Sequence, residues 1–278
     1  MFSVLEMCRV LEVSRSGYYR WLNRKPSRRD IDNQRLDAEI REIYDGSRGR
    51  YGSPKISREL QYRGRKVSKS RVARRMRAAG LRSKVRRKYR VTTDSKHHFP
   101  VAPNLLERNF TTTAPDKVWA SDITYLATRT GWLYLTVIID LFSRLVVGWA
   151  LSSSLSHDMV VTALKRAIRR RRPGKGLVFH SDRGVQYACT GFRDELEDHG
   201  FVQSMSRKGD CWDNAVAESF FGIMKTELVY HERYEGHQDT LHSIFEYIEV
   251  FYNRQRRHST LGYLCPAEYE KQKVKLCA

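Results

Sequence analysis

Residues 117–152 read KVWASDITYLATRTGWLYLTVIIDLFSRLVVGWALS, and they decide the fold. KVWASDITYLAT alternates, with Val118, Ala120, Asp122 and Thr124 on one face. GWLYLTVIIDLFS and RLVVGWALS are rich in β-branched and aromatic residues. The three segments read as successive strands joined by short turns. SHDMVVTALKRAIRRRR then reads as a helix stopped by Pro173-Gly174. GLVFHSD is short and nearly all apolar, as a buried strand is. A helix around 190–199, a short strand FVQSMS, a helix over 214–228 and a long last helix over 239–257 follow. This order predicts a mixed α/β sheet with helices on its faces.

Two carboxylates interrupt this apolar pattern. Asp122 lies in the middle of the first strand, and Asp182 ends the fourth, in HSDRGVQY. A carboxylate in a buried strand is costly unless it is paired or bound to metal, though a single one is usually a cap or half of an ion pair. A third acid sits in NAVAESFFGIMKTEL, residues 214–228. On a helix, Glu218 shares a face with Asn214, Gly222 and Lys225. Val216, Phe220 and Ile223 line a second face, extended by Ala217, Phe221, Met224 and Leu228. Two readings stay open. Asn214, Glu218 and Lys225 form either a narrow solvated stripe or a carboxylate, an amide and a lysine pointing into a cleft. Three carboxylates brought together need a cation, and Mg²⁺ takes carboxylate oxygens readily. Two Mg²⁺ ions about 3.5–4 Å apart suit in-line attack on a phosphodiester. Serine nucleophile chemistry fits less well. Ser121 and Ser181 each precede an acid, but no histidine is placed to serve both. His180 is read as orienting the strand end near Asp182, or as packing, and not as a ligand.

The formal net charge of the 278-residue chain is +20, and it is unevenly spread. Residues 1–110 carry 29 Lys and Arg against 11 Asp and Glu, whereas the remainder carries 22 against 20. Such a bias favours a polyanionic partner. No apolar run approaches the roughly 18–20 residues of a membrane span, and MFSVLEMCRVLEV lacks the layout of a signal peptide. Nucleic acid is therefore the expected partner. The five cysteines form no closely spaced pair, which argues against a disulfide framework or a structural zinc site and for a reducing compartment.

Residues 4–24 read as two short helices around a turn at Ser14–Gly17, and residues 30–45 as a charged helix. In YGSPKISRELQYRGRKVSKSRVARRMRAAGLRSK, Pro54 can start a helix and Gly64 end it. Ser68 or Ser70 can cap the next, which Gly80 stops. That helix carries Lys69, Arg71, Arg74, Arg75 and Arg77 within nine residues and no acid. Helix, turn and basic helix is the helix-turn-helix layout, whose second helix can enter a major groove. An ordinary helical hairpin with a solvated basic face is the alternative. The run RSKVRRKYR (Arg82–Arg90) can track phosphates without reading sequence. The reading divides the chain into a helix-turn-helix region at 1–92, a linker at 93–114 and a catalytic domain at 115–272.

The order Asp122, Asp182, Glu218, with 35 residues between the last two, resembles the DD(35)E set of retroviral integrases and many transposases. WASDITY, FHSDRGVQY, CWDNAVAESFFGIMKTEL and YNRQRRHSTLGYLCPAEY together resemble OrfB-type transposases of the insertion sequence three family, over about residues 7–269. Leu264-Cys265-Pro266 departs slightly from the family pattern and touches none of the acids. The resemblance implies a ribonuclease H-like fold, Mg²⁺ dependence with Mn²⁺ able to substitute, and cleavage and joining of double-stranded DNA at element ends. It implies Asp122, Asp182 and Glu218 as catalytic metal ligands, and Lys225 as the basic residue seven positions after the glutamate, holding DNA near the scissile phosphate. Asn214 contacts DNA or braces the helix start. A homo-oligomer on DNA, a bacterial cytoplasmic setting at the nucleoid, and an upstream OrfA partner or frameshift fusion with a zipper segment are further expectations; no heptad repeat appears in this sequence. A non-catalytic regulator derived from a transposase, or a nuclease that cuts without joining, are the competing classes.

Overall fold

Serines start most helices of the first part of the chain. Ser3, Ser14, Ser27 and Ser68 each accept a backbone N–H from the residue three positions on, which is Glu6, Gly17, Asp30 or Arg71. Each bond satisfies one orphan donor of a helix start. In the computed structural model, which describes residues 3–84, 100–207 and 211–277, these caps open α1 (Val4–Val10), α2 (Arg15–Leu22), α3 (Arg28–Gly46) and α5 (Lys69–Ala78). α4 (Ser53–Tyr62) has Pro54 in its first turn instead. Gly64 and Gly80 follow α4 and α5 at φ +86° and +68°, a backbone that side chains resist. Leu36 and Ile40 of α3, Ile56 and Leu60 of α4, and Val72 and Met76 of α5 close a small core. These elements belong to one of two compact units, Met1–Ser83; the other is Lys84–Ala278. Residues 85–90 of the basic run Arg82–Arg90 lie outside the described residues, as do residues 93–99 of the expected linker.

The second unit is built on a five-stranded sheet in the order β3-β2-β1-β4-β5. β1 (Val118–Thr128), β2 (Gly131–Asp140) and β3 (Val146–Ser152) form an antiparallel meander. α6 (His157–Arg171) crosses over to β4 (Val178–Ser181), which runs parallel to β1. The short α7 (Val185–Ala188) and α8 (Thr190–Asp198) lead to β5 (Val202–Met205), parallel to β4. A 3₁₀ turn at Cys211–Asn214 then enters α9 (Ala215–Glu227), which packs on β1 and β2. The mixed α/β sheet expected from the sequence is therefore present.

One sheet face is covered by α6 and α8, where Trp119, Val147, Ala163, Leu164, Ala167, Phe179 and Phe192 are buried together. The close approach of α6 depends on Gly148. A Cβ there would lie 2.5 Å from the Ala163 carbonyl oxygen and 2.7 Å from the Ala167 Cβ.

One expectation needs correction. The last helix does not run unbroken over 239–257. α10 (His237–Phe245) passes into π-helical Glu246–Tyr252, and a further helix, α11 (Pro266–Cys277), follows. The described part of the expected linker packs on its neighbours. Leu106 is buried against Ala120 and Leu141, the Leu105 N–H donates to Ser204 Oγ at 2.9 Å, and Arg144 donates to the Phe110 carbonyl. An apolar anchor and polar ties at both ends hold this segment to the sheet.

Candidate active site

The parallel register of β1 and β4 explains how two acids 60 positions apart become neighbours. Ala120 pairs with His180, so Asp122 on β1 and Asp182, just past the end of β4, each lie two residues beyond a paired position. β4 stops at Ser181 while β1 continues to Thr128. The chain therefore leaves the sheet beside Asp122.

Each acid is oriented locally. Asp122 Oδ1 accepts the Ile123 N–H at 2.8 Å. Asp182 Oδ1 accepts the Gly184 N–H at 2.9 Å, and a Cβ on Gly184 would lie 3.0 Å from that oxygen. Glu218 lies in the first turn of α9 on its exposed side. Burial, and then the Asp182 carboxylate, push the Asp122 carboxyl well above the usual carboxylate range. Glu218 adds to the rise, while the Ile123 N–H and Lys225 oppose it. Asp122, Asp182, Glu218 and Lys225, from β1, the β4 end and α9, thus share one electrostatic environment. Lys225 is half-buried, and burial lowers its pKa against the pull of Asp122. The acids are neighbours rather than a closed ligand cage: among the described residues no three His, Cys, Asp or Glu side chains already stand together at metal-ligand spacing.

Asn214 is buried, and its Nδ2 donates to the Ser121 carbonyl at 3.0 Å. This bond ties the start of α9 to β1. His180 is wholly buried, with Nδ1 on Ser204 Oγ and Nε2 on the Asp213 carbonyl at 2.9 and 3.0 Å. Burial depresses its pKa, so it fastens β4 to β5 and to the entry of α9 as a neutral ring.

Three residues of this region had no role in the sequence reading. Asp213 accepts from the Arg207 backbone and guanidinium and from Asn104 Nδ2 at 2.9–3.0 Å. The Arg207 guanidinium holds its carboxyl well below the usual range. Tyr187, in the quoted HSDRGVQY, is buried with its hydroxyl 2.8 Å from Ser121 Oγ. Glu227 is buried at the end of α9, paired with Arg256. Glu227 did carry a signal: on a helical wheel it falls beside Phe220 and Met224, where an acid is out of place.

The basic candidates of the first unit divide into two pairs. Arg71 reaches Asp32 and Asn33 at 2.5 and 2.8 Å, and Arg75 makes a two-pronged pair with Asp37. Both arginines are thus paired with residues of α3. Lys69 and Arg74 are exposed. Arg28, Arg29 and Arg74 line a groove of about 610 Å³ beside those ion pairs.

Residues 31–89 match the HTH-like domain family, and residues 112–211 and 218–274 each match an Integrase core domain family. The chain is 44% identical over 272 residues to an insertion element IS600 uncharacterized 31 kDa protein of Shigella sonnei, covering 98% of this chain and all of that one. It is 40% identical over 275 residues to transposase InsF for insertion sequence IS3A of Escherichia coli K12, covering 98% and 96% of the two chains. Among solved structures, the catalytic core domain of HTLV-2 integrase in complex with magnesium aligns with a TM-score of 0.44 at 15% identity, over 56% of this chain and 97% of that one. The simian T-cell lymphotropic virus intasome aligns with a TM-score of 0.49 at 13% identity, over 83% and 74%. Among the described residues no helix is long and apolar enough to cross a membrane. With both integrase-core matches on the sheet unit and near-complete coverage of its relatives, the chain belongs to the IS3 family of transposases, DNA-transposing enzymes with an integrase-type DDE catalytic core behind a helix-turn-helix-like region.

Proposed function

We propose that Asp122, Asp182 and Glu218 are the catalytic acids of this transposase, and that they hold Mg²⁺, as two ions, with Mn²⁺ able to substitute. The observation that carries the reading is the convergence of three carboxylates from three elements on one electrostatic environment at the carboxyl end of β4. The donor set fits the ion, since hard carboxylate oxygens are the ligands Mg²⁺ takes. When bound, such ions activate an attacking oxygen and stabilise the leaving one in an in-line displacement. The chain's own part is to orient the acids through the Ile123 and Gly184 N–H groups and to keep the space beside Asp182 clear with Gly184. Lys225 sets a positive charge beside Asp122, where a scissile phosphate is to lie. The first attack, by water or a 3′-hydroxyl, opens a strand at an element end. The second joins that 3′ end to other DNA.

The region at 1–92 serves as the duplex-binding part and residues 115–272 as the catalytic domain, with 93–114 between them. Lys69 and Arg74 face DNA. Arg71 and Arg75, held by α3 acids, stiffen the helix that presents them. The working assembly is a homo-oligomer on DNA at the bacterial nucleoid in the cytoplasm, because two element ends and a target must meet. A protein or fused segment encoded upstream is a further partner of this assembly.

The test uses labelled element-end DNA with the full chain. Asp122→Asn, Asp182→Asn and Glu218→Gln each remove charge with little change of shape. Each is expected to abolish joining while DNA binding persists, and joining by the parent protein should need Mg²⁺ or Mn²⁺ and fail with Ca²⁺. Near-normal joining by any one variant removes that residue from the site. A non-catalytic regulator is disfavoured because all three acids are present and share one field.

A further inference from the structure

Ser121 precedes Asp122 on β1, so its side chain points to the opposite face of the sheet. It is wholly buried, and elements bearing all three acids meet on it. Its Oγ donates to the Val137 carbonyl on β2 at 2.9 Å. That uses its single proton, so the Tyr187 hydroxyl, 2.8 Å away, is the donor to the same Oγ. Tyr187 belongs to α7, the turn that opens at Gly184, whose N–H holds Asp182 Oδ1. Its ring is fixed edge-on against Phe192 and packed with Phe179, so the hydroxyl has little freedom.

The third arm is Asn214. As the residue before α9 it would ordinarily accept an N–H of its own helix. It makes no such cap. Its Nδ2 goes to the Ser121 carbonyl instead, at 3.0 Å, and its Oδ1 is buried without a hydrogen-bond donor among the described residues. A buried polar group left so costs free energy. Glu218 lies four residues further on, about one helical turn. The helix thus gives up its cap to anchor its start to β1.

We propose that Ser121 is a positioning hub, whose hydroxyl and carbonyl, gripped by Tyr187 and Asn214, set the mutual placement of the elements carrying Asp122, Asp182 and Glu218. The inference rests on the reading of those three acids as the metal site. Groups that orient metal-binding side chains from behind typically change metal affinity about 10–100-fold when lost.

The competing view is a buried polar cluster that only stabilises the fold, and a pair of variants separates the two. Ser121→Ala strands the Tyr187 hydroxyl and lowers the melting temperature. Ser121→Ala with Tyr187→Phe removes both partners and recovers most of that loss. Mn²⁺ binding to the DNA-free full chain is then measured by water-proton relaxation. About tenfold weaker binding is expected in the single variant, in the double variant despite its recovered stability, and in Asn214→Ala. Duplex affinity stays at the parent value in all three. Wild-type Mn²⁺ affinity in the double variant overturns the hub and leaves a structural cluster. Asp122→Asn is the control. If it binds Mn²⁺ as the parent does, the metal-site reading fails and takes the hub with it. If it loses Mn²⁺ while the hub variants do not, the hub alone fails.

Discussion

Replacing Glu227 by Ala should destabilise the catalytic unit more than any single surface change. The Glu227 and Arg256 side chains are only 8% and 7% exposed. Arg256 Nε and Nη2 donate to the carboxylate at 2.8–3.1 Å, and the Tyr247 hydroxyl donates to it at 3.0 Å. Taking away one member of such a pair leaves a buried charge without its partner, a loss of about 3–5 kcal/mol. The stranded tyrosine hydroxyl adds about 1–3 kcal/mol if nothing replaces its acceptor. The two losses share one site and do not simply add, so about 4 kcal/mol is the expected total. With a urea slope near 3 kcal/mol/M, the unfolding midpoint should fall by about 1.3 M. The cause is the uncompensated charge rather than any intrinsic value of the pair. Glu227→Leu combined with Arg256→Met and Tyr247→Phe should therefore recover most of the loss. A fall of less than about 0.3 M in Glu227→Ala, taking the same slope, would refute the reasoning, because it would mean that Arg256 finds water or another acid at no cost.

Gly148→Ala should cost about 1–3 kcal/mol by forcing α6 off β3, and an unchanged thermal midpoint would show that the two separate freely. Asp122→Asn should raise the melting temperature of metal-free protein at neutral pH. A carboxyl whose folded pKa lies above its unfolded value contributes stability at low pH and loses it as pH rises through the folded value. The gain on removing the charge should thus shrink on acidification; a variant melting no higher than the parent at neutral pH contradicts this. Arg74→Ala should flatten the salt dependence of duplex binding by about 0.9 in log K against log salt, one phosphate contact. Arg75→Ala should instead act first on the melting of the helical unit, and the reverse pattern would show that the two arginines had been assigned the wrong way round.

The strand order was legible because period-two alternation and β-branched runs survive in the local sequence, and Asp122 and Asp182 stood out against them. Glu218 was singled out as an acid within an apolar helix. The helix holds a second acid that fits that description better, since Glu227 is buried and Glu218 is on the exposed side. Helical periodicity put Glu218 on a polar face with Asn214 and Lys225, and family resemblance then chose between the two readings of that face; the same periodicity sets Glu227 beside Phe220 and Met224, a signal that went unread. The ion pairs of Arg71 and Arg75 were hidden for a different reason. Their counter-charges, Asp32 and Asp37, lie 39 and 38 positions away on α3, and composition within one helix cannot show a partner on another. The packed segment at Leu105–Phe110 escaped notice because its only apolar signal is a few residues among prolines and polar side chains. The Ser121 cluster was invisible in principle, for nothing in a sequence says that residues 121, 187 and 214 meet.

β3 is one of the two outer strands of the sheet, and an outer strand offers its free amides to any passing chain. At Val146 that offer is withdrawn. The Asn253 carboxamide accepts the Val146 N–H and donates to the Val146 carbonyl, both at 3.0 Å, as a neighbouring strand would. One side chain thus counterfeits a residue of a sixth strand. At that residue the border offers another copy no backbone groups to pair with, at the cost of a single buried amide.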